Sequence, residues 1–209
     1  MKKCIFTIIL LMSFFISLPA WSIAFIEPGI GIKSGNYKSE ENQFLTNMDE
    51  GWARGGTLFI RGGYSGDLIF AGLDFGVQVL GLEASYANTD NNAGYIGAMV
   101  GAIVGIHIPV LPFRVWGGVY ATGMGTSHEE TIIRSRDEIS VSGSAVKLGI
   151  GFRPLPLMSL NIEFCQETFK NRKHKLTIGN ITLVDDDVEL DNKPVVTTAI
   201  FSISIPIDW

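Results

Sequence analysis

Glu163 and Glu167 are the two carboxylates in this chain best spaced for acid-base work, in which one group gives a proton while the other takes one. On an extended strand an even spacing puts both on one face, together with Asn161 and Cys165. The same parity analysis along the chain collects Glu27, Arg61, Asp74, Arg114, Lys147, Arg153, Glu163 and Glu167, four charges of each sign. Such a set is expected to neutralise itself as ion pairs, and an ion-pair network perturbs protonation without doing chemistry. Ser127, His128, Glu129 and Glu130 supply a hydroxyl, an imidazole and carboxylates. They are consecutive in one polar segment, whereas a triad is a spatial arrangement of nucleophile, base and orienter. No catalytic residue is assigned. His107, His128 and His174 match no metal-ligand spacing, and no metal or cofactor is expected. The run Asp185, Asp186, Asp187, Glu189 and Asp191 follows the basic Arg172, Lys173 and Lys175, and the stretch that joins them, KLTIGNITLVDDDVEL, could form a protruding hairpin. The acidic run could attract a divalent cation, but a solvated loop is the ordinary outcome for such a segment.

The elements that carry these residues are read as strands. Apolar residues recur at every second position and are broken by Gly, Pro and Asn turns, which is a β period. The spacing predicts strands over Phe25 to Tyr37, Ala53 to Gly63, Leu68 to Tyr86, Gly94 to Ile108, Phe113 to Gly125, Ile139 to Arg153, Met158 to Lys170 and Val195 to Trp209. Short links at Tyr64 to Asp67, Pro109 to Pro112 and Pro154 to Leu157 alternate with polar loops at Lys38 to Trp52, Ala87 to Ala93, Thr126 to Glu138 and Asn171 to Pro194. An even strand number with short turns at one end and long loops at the other points to an eight-stranded antiparallel up-and-down transmembrane β-barrel. The strands run to about 11 to 19 residues, against a usual mode of about 5 or 6 in globular proteins.

Alternation leaves two ways to turn such a barrel, because a soluble carrier would hold its aliphatics inside. The charge set decides. Ile96, Ala98, Val100, Ala102, Val104, Ile106 and Ile108 share one face of the fourth strand, opposite Gly97, Gly101, Gly105 and His107. Charged residues are only 18% of the chain, too few to solvate an exterior, and Gly is abundant at 24 residues. The aliphatics are expected outside and the charges inside, where eight strands leave just enough room for side chains.

Lys2 and Lys3 followed by the uncharged stretch Ile5 to Leu18, then Pro19, Ala20 and Ser22, read as a signal peptide over residues 1–22, with the barrel domain at 23–209. Cleavage near Ser22 would take the formal charge from −5 to −7 and leave Cys165 without a partner for a disulfide. With this charge and no basic patch, nucleic acid is not an expected partner.

At the C-terminus Phe201, Ile203, Ile205, Ile207 and Trp209 occupy one face of the last strand. With this ending, and with FIEPGIGIKSG, LFIRGGYSGDLIFAGLDFG, LPFRVWGGVYA and GIGFRPLPLMSLNIEF in that order, the sequence resembles the small outer-membrane β-barrel family that includes the OmpA transmembrane domain. In departure from OmpA, no peptidoglycan-binding domain is expected after the last strand. The resemblance implies a bacterial outer-membrane location, contact with lipid and lipopolysaccharide, and a C-terminal signal for the barrel assembly machinery. The family spans structural barrels, adhesins, pores and lipid-modifying enzymes. The leading expectation is a monomeric, non-enzymatic barrel with a structural or ligand-contacting role at its extracellular loops. A narrow channel or solute-binding barrel comes second, and a lipid-modifying enzyme third.

Overall fold

The computed structural model describes residues 23–39, 50–84, 93–108, 110–130, 135–178, 181–190 and 193–208. The segment read as a signal peptide and the terminal Trp209 lie outside these residues. Among the described residues there are ten strands: β1 (Ile23–Lys38), β2 (Glu50–Ser65), β3 (Ile69–Ala84), β4 (Ala93–His107), β5 (Phe113–Glu130), β6 (Ser135–Leu155), β7 (Met158–Ile178), β8 (Ile181–Glu189), β9 (Val195–Ser204) and β10 (Ile207–Asp208). Each of β1 to β7 pairs antiparallel with the next. β9 pairs with β7 from Ser159↔Ser204 to Thr168↔Val195, and with β1 from Gly29↔Ser204 to Lys38↔Val195. This closes a ring of eight strands, which removes every free edge from the barrel wall. β10 continues β9 past Ile205 and Pro206 and pairs with the start of β1.

The wall turns its aliphatics outward. Ile32, Leu73, Ile96, Val119, Leu148 and Phe164, drawn from six strands, are each more than 60% exposed, while Glu27 and Glu167 are fully buried. Trp52 and Tyr64 lie on the outer face of β2 at its two ends. At about 3.3 Å per residue and a tilt of about 45°, they stand roughly 28 Å apart along the barrel axis, close to the height of a lipid-facing band. An apolar recess on this outer wall, lined by Ile30, Leu58, Val79, Ile162, Phe201 and Ile203, belongs to the same band.

The 126–138 segment, expected as a loop, is largely strand, and the hairpin expected within KLTIGNITLVDDDVEL of the 171–194 segment is present. β5 and β6 continue past Gly125 and Ile139 to pair from Thr126↔Ile139 up to Glu130↔Ser135. β7 runs on to Ile178 and folds back as β8, while the ladder with β6 slips between Ser142 and Gly143. The upper parts of β5, β6 and β7 therefore rise above the ring with β8 as a four-stranded sheet. Above the ring the described side chains of β7 and β8 are exposed or half-buried on both faces, so the period-2 hydrophobic signal that marks a half-buried strand is missing there.

The connection between β4 and β5 is closed by a hydrogen bond from the Leu111 N–H to the Ile108 carbonyl (3.2 Å). Val110 in this turn has φ 70° and is fully exposed. A β-branched residue in the left-handed region costs about 1–2 kcal/mol relative to glycine.

Candidate functional site

The inward faces fill the ring with three stacked polar layers and an apolar stopper. At the short-turn end the Arg114 guanidinium grips both carboxylate oxygens of Glu27. It also donates to Ser159 Oγ (3.2 Å) and Asn161 Oδ1 (3.1 Å), and Asn161 in turn donates to Ser204 Oγ (2.9 Å). In the middle layer Arg61 reaches Glu163 (2.6 Å) and Asp74 (3.3 Å), and Lys147 bridges the same two carboxylates at 3.7 and 3.2 Å. The Tyr120 hydroxyl donates to Asp74 Oδ2 (2.7 Å). Arg61 joins this layer to the one below through Glu27, 3.9 Å away. In the upper layer Glu167 takes Lys33 (2.8 Å), Gln78 Nε2 (2.9 Å) and Thr122 Oγ1 (2.8 Å), while Lys33 also donates to Gln78.

Burying an ion costs several kcal/mol unless good partners offset the lost water. Here Lys33, Arg61, Arg114 and Lys147 balance Glu27, Asp74, Glu163 and Glu167, and every one of these eight side chains is buried. Aromatic faces complete the packing: Arg61 lies over Phe59 (4.3 Å) and Trp116 (4.9 Å), Arg114 over Trp116 (5.0 Å), and Lys147 over Tyr120 (4.5 Å).

The lumen glycines explain how such bulky groups fit. Gly101 faces Tyr120 across the β4/β5 ladder, and a Cβ on it would stand 2.5 Å from the Tyr120 ring. Gly149 faces Trp116, and a Cβ there would collide with the indole. The inward glycines thus make room for aromatic rings, where the sequence also allowed them to line a wet path. Toward the long-loop end Tyr37, Leu80, Leu82, Tyr95, Met124 and Phe169 form a buried apolar cluster. Leu190, which follows β8, drops into it and is itself buried.

Seven of the eight charges read from sequence lie in these layers. Arg153 does not: it sits at the short-turn rim, partly exposed, and pairs with Asp208 (3.0 Å). A charge one strand position from the turn meets water, so its parity matches the lumen while its height does not. Lys33 was missed, although it shares the inward face of β1 with Glu27 and pairs with Glu167. Gln78, Thr122, Ser159 and Asn161 complete the network as uncharged donors and acceptors. Glu163 and Glu167, the candidate acid-base pair, belong to different layers, Glu163 held by Arg61 and Lys147 and Glu167 by Lys33.

His107 bonds Ser65 (2.9 Å) at the rim and packs on Phe70, with ring centroids 5.1 Å apart. The side chains of Ser127, His128, Glu129 and Glu130 lie outside the described residues, and their backbone is the tip of β5. In the raised sheet the basic and acidic runs meet across the β7/β8 ladder, as Lys173↔Asp187, His174↔Asp186 and Lys175↔Asp185. Lys173 and Asp187 form an exposed ion pair (2.9 Å), and this hydrogen bond with its charge attraction raises the Lys173 ammonium above its ordinary range. His174 bonds Asp137 of β6 (2.8 Å). The acidic run is thus laid beside bases, and no group of three potential ligands suited to a metal ion occurs among the described residues.

No protein-family model matches the chain. No curated protein matches it. Among solved structures, it resembles a major outer membrane protein of Thermus thermophilus with a TM-score of 0.51 and 12% identity, over 87% of this chain and 99% of that one. The fold is that of the outer-membrane barrels. Two further structures of this kind match at lower TM-scores. Neisserial surface protein A gives 0.48 at 16% identity, over 87% of this chain and 97% of that one. Ail, the attachment invasion locus protein of Yersinia pestis, gives 0.49 at 12% identity, over 88% of this chain and 99% of that one.

Proposed function

We propose that this protein is a non-enzymatic, monomeric barrel of the bacterial outer membrane, closed to solutes, that holds a rigid sheet above the lipid surface as its contact with the exterior. The filled lumen carries this reading: eight mutually paired ions and a layer of apolar side chains occupy the space a channel or solute site would need. The short turns then face the periplasm and the raised sheet faces outward, the asymmetry usual for such barrels. Lipid and lipopolysaccharide are its surroundings. The terminal strand with Phe201, Ile203, Ile205, Ile207 and Trp209 is the segment the barrel assembly machinery would read. The contact surface is the β7/β8 arm, whose basic and acidic runs face each other across the ladder and whose outer edge is unpaired among the described residues. Extracellular ligands would meet this arm first.

Planar-bilayer recording tests the closed lumen. The folded protein should give no discrete current steps. Reproducible unitary openings would overturn the reading in favour of a narrow channel, and uptake of a small solute without openings would make it a solute-binding barrel.

A further inference from the structure

We propose that the two turns joining β4 to β5 and β6 to β7 form one apolar wedge that inserts into the phospholipid of the leaflet at the short-turn end. On this side of the barrel the lipid contact would then continue below the strands. The two turns are neighbours because β5 and β6 pair, with Phe113↔Phe152 as the lowest rung and their rings 5.0 Å apart. A hydrogen bond from the Arg153 N–H to the Pro112 carbonyl (2.8 Å) ties the second turn to the first. Residues 108–113 and 154–160 read IPVLPF and PLPLMSL, with no charge in either. Val110, Leu111, Leu155 and Leu157 all project into the surroundings, each more than half exposed. The remaining short turn, between β2 and β3, exposes Leu68 beside the charged Asp67.

Three arguments make lipid the occupant. The patch is continuous with the outer band, since Phe113, Val115, Ile150 and Leu160 run from it directly up the wall as exposed apolar side chains. A contiguous exposed apolar surface of this kind marks a membrane or protein contact, and here it adjoins one that already faces hydrocarbon. The Val110 conformation is the third. In water, a β-branched side chain held at positive φ gains nothing to offset its strain, and glycine would serve the turn better. In hydrocarbon, the side chain is transferred out of water and the strain is compensated.

The test is depth measurement by spin labelling. With Cys4 and Cys165 replaced by Ala, a nitroxide is placed in turn on Val110→Cys, Leu157→Cys, Leu148→Cys as a reference in the band, and Asp67→Cys as a reference at the polar turn. Each protein is folded into phosphatidylcholine vesicles, and folding is confirmed by a heat-dependent gel shift before any reading is taken. Collision rates with oxygen and with a water-soluble nickel chelate are then compared. Labels at 110 and 157 should show an oxygen-to-nickel ratio several-fold above that at 67 and approaching that at 148. Ratios at 110 and 157 equal to that at 67 would place both turns in water and overturn the wedge, leaving a periplasmic protein as the patch's partner. The two turn positions are independent, so failure of one variant to fold leaves the other to decide.

Discussion

The Glu27–Arg114 pair shows how much rests on single residues in this lumen. Both oxygens of Glu27 are held by one guanidinium, and both side chains are buried at the short-turn end. Arg114→Met should leave Glu27 with Ser204 and the distant Arg61 as partners, and breaking a buried pair from one side typically costs about 3–5 kcal/mol. The double variant Glu27→Gln/Arg114→Met should lose less than Arg114→Met alone, because it leaves no uncompensated ion. Urea titrations of the vesicle-folded protein would measure both, and equal losses in the single and double variants would show that the pair is not isolated from water. Parity was enough to read most of this network from sequence, because charges at even spacing on a strand share a face. It could not supply height. Arg153 has the right parity and sits at the wet rim, whereas Lys33 has the parity of Glu27 and lies deep inside. Nor could it reveal that Gln78, Thr122 and Asn161 complete the coordination, since uncharged polar residues occur on either face of any strand.

The eight wall strands were legible element by element because one face meets hydrocarbon and the other a crowded interior, a contrast that repeats every two residues. The raised sheet lacks that contrast, so 126–138 reads as a loop and of 171–194 only the hairpin within KLTIGNITLVDDDVEL is legible. Its remaining signal was charge: Arg172, Lys173 and Lys175 precede Asp185, Asp186 and Asp187 at a spacing that lets the two runs face each other after one reversal. Lys173→Asp should place like charges opposite one another and weaken the arm. Adding Asp187→Lys should restore it. Amide exchange over Thr182 to Val188 is the readout, with faster exchange in the single variant and recovery in the swap. No recovery would mean that the ladder, not the charge, sets the register. The pH response has a definite sign. Lys173 is raised in the folded arm, so the pair's contribution is complete below the ordinary lysine value of 10.5 and is lost as pH rises through the higher folded value. Protection of the arm by this pair should therefore not change between neutral and mildly basic pH.

At the scale of the whole molecule, the outer wall and the filled interior make separable demands on the sequence. An arginine on the band, as in Val100→Arg, should cost about 2–4 kcal/mol if that position lies near the bilayer midplane. It should leave the interior layers intact. A loss near zero in vesicle-folding titrations would place Val100 away from the hydrocarbon centre. The interior holds two seals in series, the apolar stopper above and the ionic layers below. Leu190 enters the stopper from outside the ring, so Leu190→Ala should lower stability by about 2–5 kcal/mol, the usual cost of truncating a buried leucine. Current across a planar bilayer should stay silent in that variant, because the layers centred on Glu167, Glu163 and Glu27 still fill the passage. If Leu190→Ala instead produced discrete openings, the ionic layers would have to part under voltage. The stopper alone would then be what closes the barrel.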